Sequence, residues 1–311
     1  MSRSRLAFTA AVGVLSLTSL TLSADAVAYC RTTSCGDKGT GDKCNPVGAS
    51  DCGTPLFWTG PCVGFSVQKD GSKDVTFAKT EAVLTAAFAT WMSAPCAGGG
   101  TPHVKVIELA PAVCTAHEYN QTKANTNLVV FRDDSWPYAG SAATLALTTV
   151  TYNLDTGEIY DADMELNSFE HHFTTDDATI EFDLQAVVAH EAGHFLGLAH
   201  SANGDATMYA DYKQGDKSLR DLTADDIAGM CAVYPPGAAI PASCDATPRH
   251  GFSVECAAQQ PEGTSSSSSS GGSSGGCAIS ASDDAQPGVG LAALLGALGL
   301  ALRLRVRRPR R

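Results

Sequence analysis

HEAGHFLGLAH, running from His190 to His200, sets two histidines four residues apart on a segment that reads as helix. On an α-helix, positions i and i+4 share a face about one turn apart, so His190 and His194 can point imidazole nitrogens at one cation. Glu191 follows the first candidate ligand directly, and its carboxylate can reach a water beside the cation without taking a coordination position. Gly197 has no Cβ to oppose a left-handed helix end, so the chain can turn back and offer His200 as a third ligand. Three neutral histidines leave a Zn2+ its positive charge and one open position, where the pKa of a water falls toward about 7.

Working outward, Asp183 can cap a helix through LQAVVAHEAGHFLG whose buried face is Leu184, Val187, Val188, Phe195 and Leu196. Upstream, VGFSVQ (Val63 to Gln68) alternates like a strand, and Ala78 to Ser93 carries Val83, Leu84, Ala87, Phe88 and Trp91 at helical spacing. Three β-rich runs follow: His103 to Leu109, Asn127 to Phe131, and Ala143 to Tyr152. The last leads through the turn signal at Asp155 and Gly157 into EIYDADMEL. This order predicts an α+β fold, with a twisted mixed sheet, a long N-terminal helix against one face and a mostly helical lower part. Thr223 and Asp226 stand in capping-box spacing before IAGMCAVY, a C-terminal helix that Pro235 and Pro236 stop.

The two ends differ from this body. The first 28 residues pair two arginines with an apolar run and small-x-small sites, as a signal peptide does, with cleavage expected after Ala26 or Ala28. Residues 29–60 form a cysteine-rich leader, 61–236 the main domain, 237–260 a Cys-containing extension and 261–276 a Ser/Gly linker. Residues 277–311 carry a short apolar run and an arginine-rich end, a sorting or membrane segment, and membrane contact is expected only there. Of eleven cysteines, Cys277 stands apart, and the other ten form an even set suited to five disulfides of unreadable connectivity. Setting aside residues 1–28 and 277–311 removes eight of 21 Lys and Arg and three of 33 Asp and Glu, leaving 13 against 30, a net charge of −17. So acidic a body disfavours nucleic acid as a partner. It favours solubility and is compatible with Ca2+, for which Asp155, Asp161, Asp163 and Glu165 are candidates; exposed acidic turn residues are the competing explanation.

HEAGHFLGLAH, with Met208 eight residues later in ATMYADY, resembles the extended zinc motif and Met-turn of the metzincin zinc proteases. The Ser after His200, the Met208-Tyr209 pair and LTADDIAGMCAVY look like the matrixin branch, over about Phe57 to Tyr234. The resemblance implies a secreted or surface-attached zinc endopeptidase, monomeric, acting on proteins or peptides. His190, His194 and His200 would hold one catalytic ion and Glu191 would be the base. It would take the proton of the water that attacks a peptide carbonyl and deliver it to the leaving amine. Met208 would be an apolar floor and Tyr209 would shape the primed-side pocket. The tail resembles the C-terminal sorting signals of myxobacterial surface proteins. Matrixins also carry a second, structural zinc; the only upstream pair near its place, His171-His172, is adjacent in sequence and would not project to one side of a strand. Cys52-Gly53-Thr54-Pro55 resembles the core of the matrixin inhibitory switch but lacks its arginine, and the even cysteine count favours a disulfide for Cys52. The alternative function is a catalytically inactive, zinc-stabilised surface-binding module, from which loss of Glu191 or a ligand would be expected.

Overall fold

A computed structural model describes residues 28–34, 53–115, 117–138, 143–176 and 181–257. The signal peptide up to residue 27, Cys52, the Ser/Gly linker and the C-terminal segment with Cys277 lie outside them. In chain order the elements are β1 (Cys30–Arg31), β2 (Cys62–Val67), α1 (Phe77–Met92), β3 (Lys105–Glu108), β4 (Leu128–Phe131), β5 (Ala146–Tyr152), β6 (Ile159–Leu166), β7 (Phe173–Thr174), β8 (Phe182–Asp183), α2 (Leu184–Phe195), β9 (Leu198–Ala199) and α3 (Ala224–Val233).

Five strands make a mixed sheet in the order β3-β2-β4-β6-β5, parallel except for β5, which is antiparallel to β6. This is the expected α+β, metzincin-like architecture. Successive strand residues face opposite sides. Val63, Phe65 and Val67 of β2, Val129 and Phe131 of β4, and Ala162, Met164 and Leu166 of β6 therefore join α1 and α2 in one core. Leu128 and Val130 face the other way, against Ala112 and Cys256.

α2 is buried on nearly every side, more than the single apolar face read from its sequence. Its start matches expectation, since Asp183 accepts a hydrogen bond from the Ala186 N–H. At its end Gly197 adopts φ +91°, and the last carbonyls find specific donors: Trp58 Nε1 bonds Phe195 O at 2.8 Å and Tyr234 Oη bonds Leu196 O at 3.0 Å. A helix end buried without such partners would leave several polar groups unsatisfied.

The lower part departs from the expectation of mostly helix. Between β9 and α3 the described chain is loop with one short 3-10 turn, Ser218–Arg220. Turn-forming Asn, Gly, Asp and Lys between Asn203 and Lys217 supply no apolar period for a helix to bury. The leader contributes β1, antiparallel to β9. The extension crosses the far side of the sheet, bridging Ala112 to Ala257 and Asn125 to Phe252. Disulfides Cys62–Cys244, Cys96–Cys231 and Cys114–Cys256 close long loops of the chain, and Cys30 is disulfide-bonded as well.

Candidate metal centre

α2 carries His190 and His194 on one face, and the turn at Gly197 followed by β9 brings His200 back to them. The three rings form a near-equilateral triangle with centroids 4.8, 5.1 and 5.0 Å apart. Among the described residues no other group of three His, Cys, Asp or Glu side chains is gathered closely enough to hold a metal.

His190 Nδ1 lies 2.7 Å from Thr207 O, and His194 Nδ1 lies 2.8 Å from Leu198 O. A carbonyl only accepts, so each Nδ1 carries the hydrogen. Burial, reinforced by the neighbouring His194, lowers the His190 pKa to about 3; burial lowers His194 to about 4. Burial, then His194 and His190, holds His200 well below the ordinary histidine range. Neutral rings with hydrogen on Nδ1 present lone pairs at Nε2. The His190 and His194 Nε2 atoms face each other at 3.1 Å, while His200 Nε2 is buried without a partner among the described residues. Two lone pairs in that contact repel unless a cation sits between them. Two nitrogens about 2.05 Å from a tetrahedral Zn2+ would stand about 3.3 Å apart, so the donor set fits that ion.

Glu191 is fully buried between α2 and β5. Its Oε2 accepts a 2.5 Å hydrogen bond from Thr148 Oγ1, whereas Oε1 has no partner among the described residues. Burial pushes its carboxyl up to about 8, and the Thr148 hydrogen bonds act in the opposite direction. A cation at the histidines would draw it down further.

Met208 is buried beneath α2, so close to Gly193 that a Cβ there would collide with Met208 Sδ and approach Trp91 Cζ2 to 3.0 Å. The Asp226 carboxylate fixes this turn, accepting from Met208 N at 3.0 Å and Thr207 N at 2.9 Å while capping α3 through Thr223. Tyr209 is half-buried and bridges to Ser201, next to His200. The leader reaches the same region. Thr32 Oγ1 donates to Leu198 O at 3.0 Å, the carbonyl that orients His194, and beside it Asp225 accepts from Ser201 Oγ and from the N–H of Ala28, just before the leader.

Other candidates fall elsewhere. His171 is buried, edge-on to Phe182, while exposed His172 pairs with Asp74, so the two part as expected for neighbours. Asp161, Asp163 and Glu165 are buried on the far face of β6, which corrects their reading as exposed acidic turn residues; Asp155 alone lies exposed in a turn. Glu165 is paired with Arg132 and Tyr138. Cys52 is outside the described residues, but the neighbouring Thr54 and Pro55 are tied to Ser34 and Thr33. Sequence reading missed Thr148 and the carbonyls of Leu198 and Thr207. It saw Asp226 only as a cap.

The sequence profile of the Matrixin family matches residues 57–235. The chain is 35% identical over 107 residues to Metalloendoproteinase 1-MMP of Arabidopsis thaliana, covering 33% of this chain and 27% of that protein. To Neutrophil collagenase of Homo sapiens it is 32% identical over 137 residues, 40% of this chain and 28% of that one. To Stromelysin-1 of Rattus norvegicus it is 48% identical over 63 residues, 20% and 13% respectively. The chain thus covers less than a third of the length of each of these relatives.

Proposed function

This chain belongs to the matrixin family, and from that premise we propose that it is a zinc-dependent endopeptidase acting on proteins or peptides outside the cytosol. The observation that carries this is the convergence of three neutral histidines, two of them with facing Nε2 atoms 3.1 Å apart and the third with an unpartnered Nε2. His190, His194 and His200 would hold the ion through those atoms. Bound Zn2+ supplies Lewis acidity, polarising a peptide carbonyl and lowering the pKa of a water toward about 7. Thr207 O and Leu198 O hold the His190 and His194 rings in one orientation. Glu191 takes the proton released as water adds to the carbonyl and passes it to the leaving amine. Oε1, which has no partner among the described residues, is the oxygen available for that transfer. Met208 gives the centre an apolar floor, and Tyr209 lines the side of the cleft that receives residues after the scissile bond.

The disulfides accord with an oxidising compartment, and export by a signal peptide with the chain working as a monomer completes this picture. Among the described residues no helix is long and apolar enough to cross a membrane; membrane contact in this reading belongs to the short apolar run and arginines of residues 277–311. Nucleic acid is not a partner of so acidic a body.

Incubation with denatured protein mixtures, with and without a chelator, tests the reading. Cleavage is expected to require the metal. Glu191→Ala is expected to keep one zinc per chain while losing at least about 100-fold in rate. Hydrolysis surviving both chelation and Glu191→Ala overturns the assignment. Zinc retention in a wild-type chain that cleaves nothing points instead to the inactive binding module.

A further inference from the structure

We propose that Thr148 is the positioning residue of the catalytic base, its hydroxyl fixing one carboxylate oxygen of Glu191 so that the other is presented to the reacting water. This rests on the endopeptidase reading of the same site. The terminal torsion of a glutamate is broad and nearly two-fold, so packing along the aliphatic stem does not decide where its two oxygens point. A directional partner does. Thr148 Oγ1 stands 2.5 Å from Glu191 Oε2 and 3.3 Å from the backbone oxygen of the same residue, so one hydroxyl engages both the carboxylate and the helix that bears it. Oε1 is left buried with no partner among the described residues. An unpartnered buried carboxylate oxygen is costly, and such atoms persist where a reactant supplies the missing bond.

The strand gives this hydroxyl a rigid base. β5 is paired with β6 from Ala146 to Tyr152, and Thr148 sits opposite fully buried Met164 in that ladder. Thr148 is stiff at χ1 because it is β-branched. Alternation puts Ala146, Thr148 and Val150 on the side facing the helices, and Ala146 and Val150 both pack with the core. Thr148 is the single hydroxyl in that apolar row. Catalytic groups lose rate steeply when displaced by about an ångström, which gives a fixed carboxylate its value.

The test compares Thr148→Val, which keeps shape and deletes the hydroxyl, with Thr148→Ser, which keeps the hydroxyl, in the zinc-loaded full chain. We expect Thr148→Val to lose about 10- to 100-fold in kcat at unchanged KM with one zinc still bound per chain. Thr148→Ser should stay within about threefold of wild type. A crystal structure of Thr148→Val should show the Glu191 carboxylate rotated or spread over two orientations. Thr148→Ala is measured alongside in case valine disturbs the buried strand, and the same kcat loss with zinc retained supports the proposal. Wild-type kcat in Thr148→Val overturns it, as does a loss that tracks zinc release or early melting in both the valine and alanine variants. Wild-type and Glu191→Ala rates fix the reference. If they differ and Thr148→Val matches wild type, only the positioning role fails; if they do not differ, the endopeptidase reading fails and this role with it.

Discussion

At residue scale, the centre depends on atoms that a sequence spells out and on atoms that it does not. His190, Glu191, His194 and His200 are legible because their spacing alone brings them to one place. Leu198 and Thr207 are not, since the groups that orient the histidines are backbone carbonyls and any residue could supply them. Thr148 was hidden for another reason, because threonine is ordinary in a strand and only the packing of β5 on α2 brings its hydroxyl to Glu191. Gly193 looks like a neutral filler inside HEAGH, yet its missing side chain is where Met208 Sδ rests. Gly193→Ala is therefore expected to cost about 1–3 kcal/mol by overpacking and to weaken zinc retention, read by thermal melting and metal content. Gly204→Ala serves as control. A Cβ there meets nothing within 4 Å, so a change within about 0.5 kcal/mol is expected.

At the scale of elements, four strands of the main sheet and all three helices of the described chain are legible in the sequence, because alternation and helical period survive in buried segments; β6 is not, since its acidic residues read as exposed turn. Ends were less legible: His103 to Leu109 narrows to β3, Lys105–Glu108, since pairing with β2 decides where a strand stops. The segment after β9 was misread as mostly helical. Its order comes from side chains that bind backbone across distance, and Asp226 is the main one. Read as a cap, it also holds Thr207 N and Met208 N, 19 and 18 residues away. Asp226→Ala removes the N3 half of the α3 capping box and leaves two buried N–H groups without acceptors at about 1–3 kcal/mol each. A loss of at least about 2 kcal/mol in denaturant unfolding, with faster zinc release, is the expected result. Unchanged zinc release would separate the Met-turn from the metal.

For the whole molecule, the sheet divides two environments, an apolar side shared with the helices and a far side where a small apolar cluster lies beside buried carboxylates that composition did not reveal. Asp161 and Asp163 are buried there on neighbouring outward positions of β6. Burial raises the Asp161 carboxyl to about 7, and burial with the charge of Asp161 holds Asp163 well above the carboxylate range. An unfolded aspartate releases its proton near pH 3.8, whereas the folded Asp161 keeps its proton to about 7. The stabilising contribution of Asp161 is thus full below about pH 4 and is lost as pH rises through about 7. Asp161→Asn should accordingly melt higher than wild type at pH 8, by at least about 3 °C, with the gap shrinking at pH 5. A gap that stays constant between the two would mean that Asp161 is ionised throughout. The same far side receives the extension, where Val113 N bonds Cys256 O and Ala257 bridges Ala112. The described extension thus lies on the back of the sheet, away from the helix that carries His190 and His194. A pull on that extension is borne by the Cys114–Cys256 disulfide and the back of the sheet, and does not pass through the histidines.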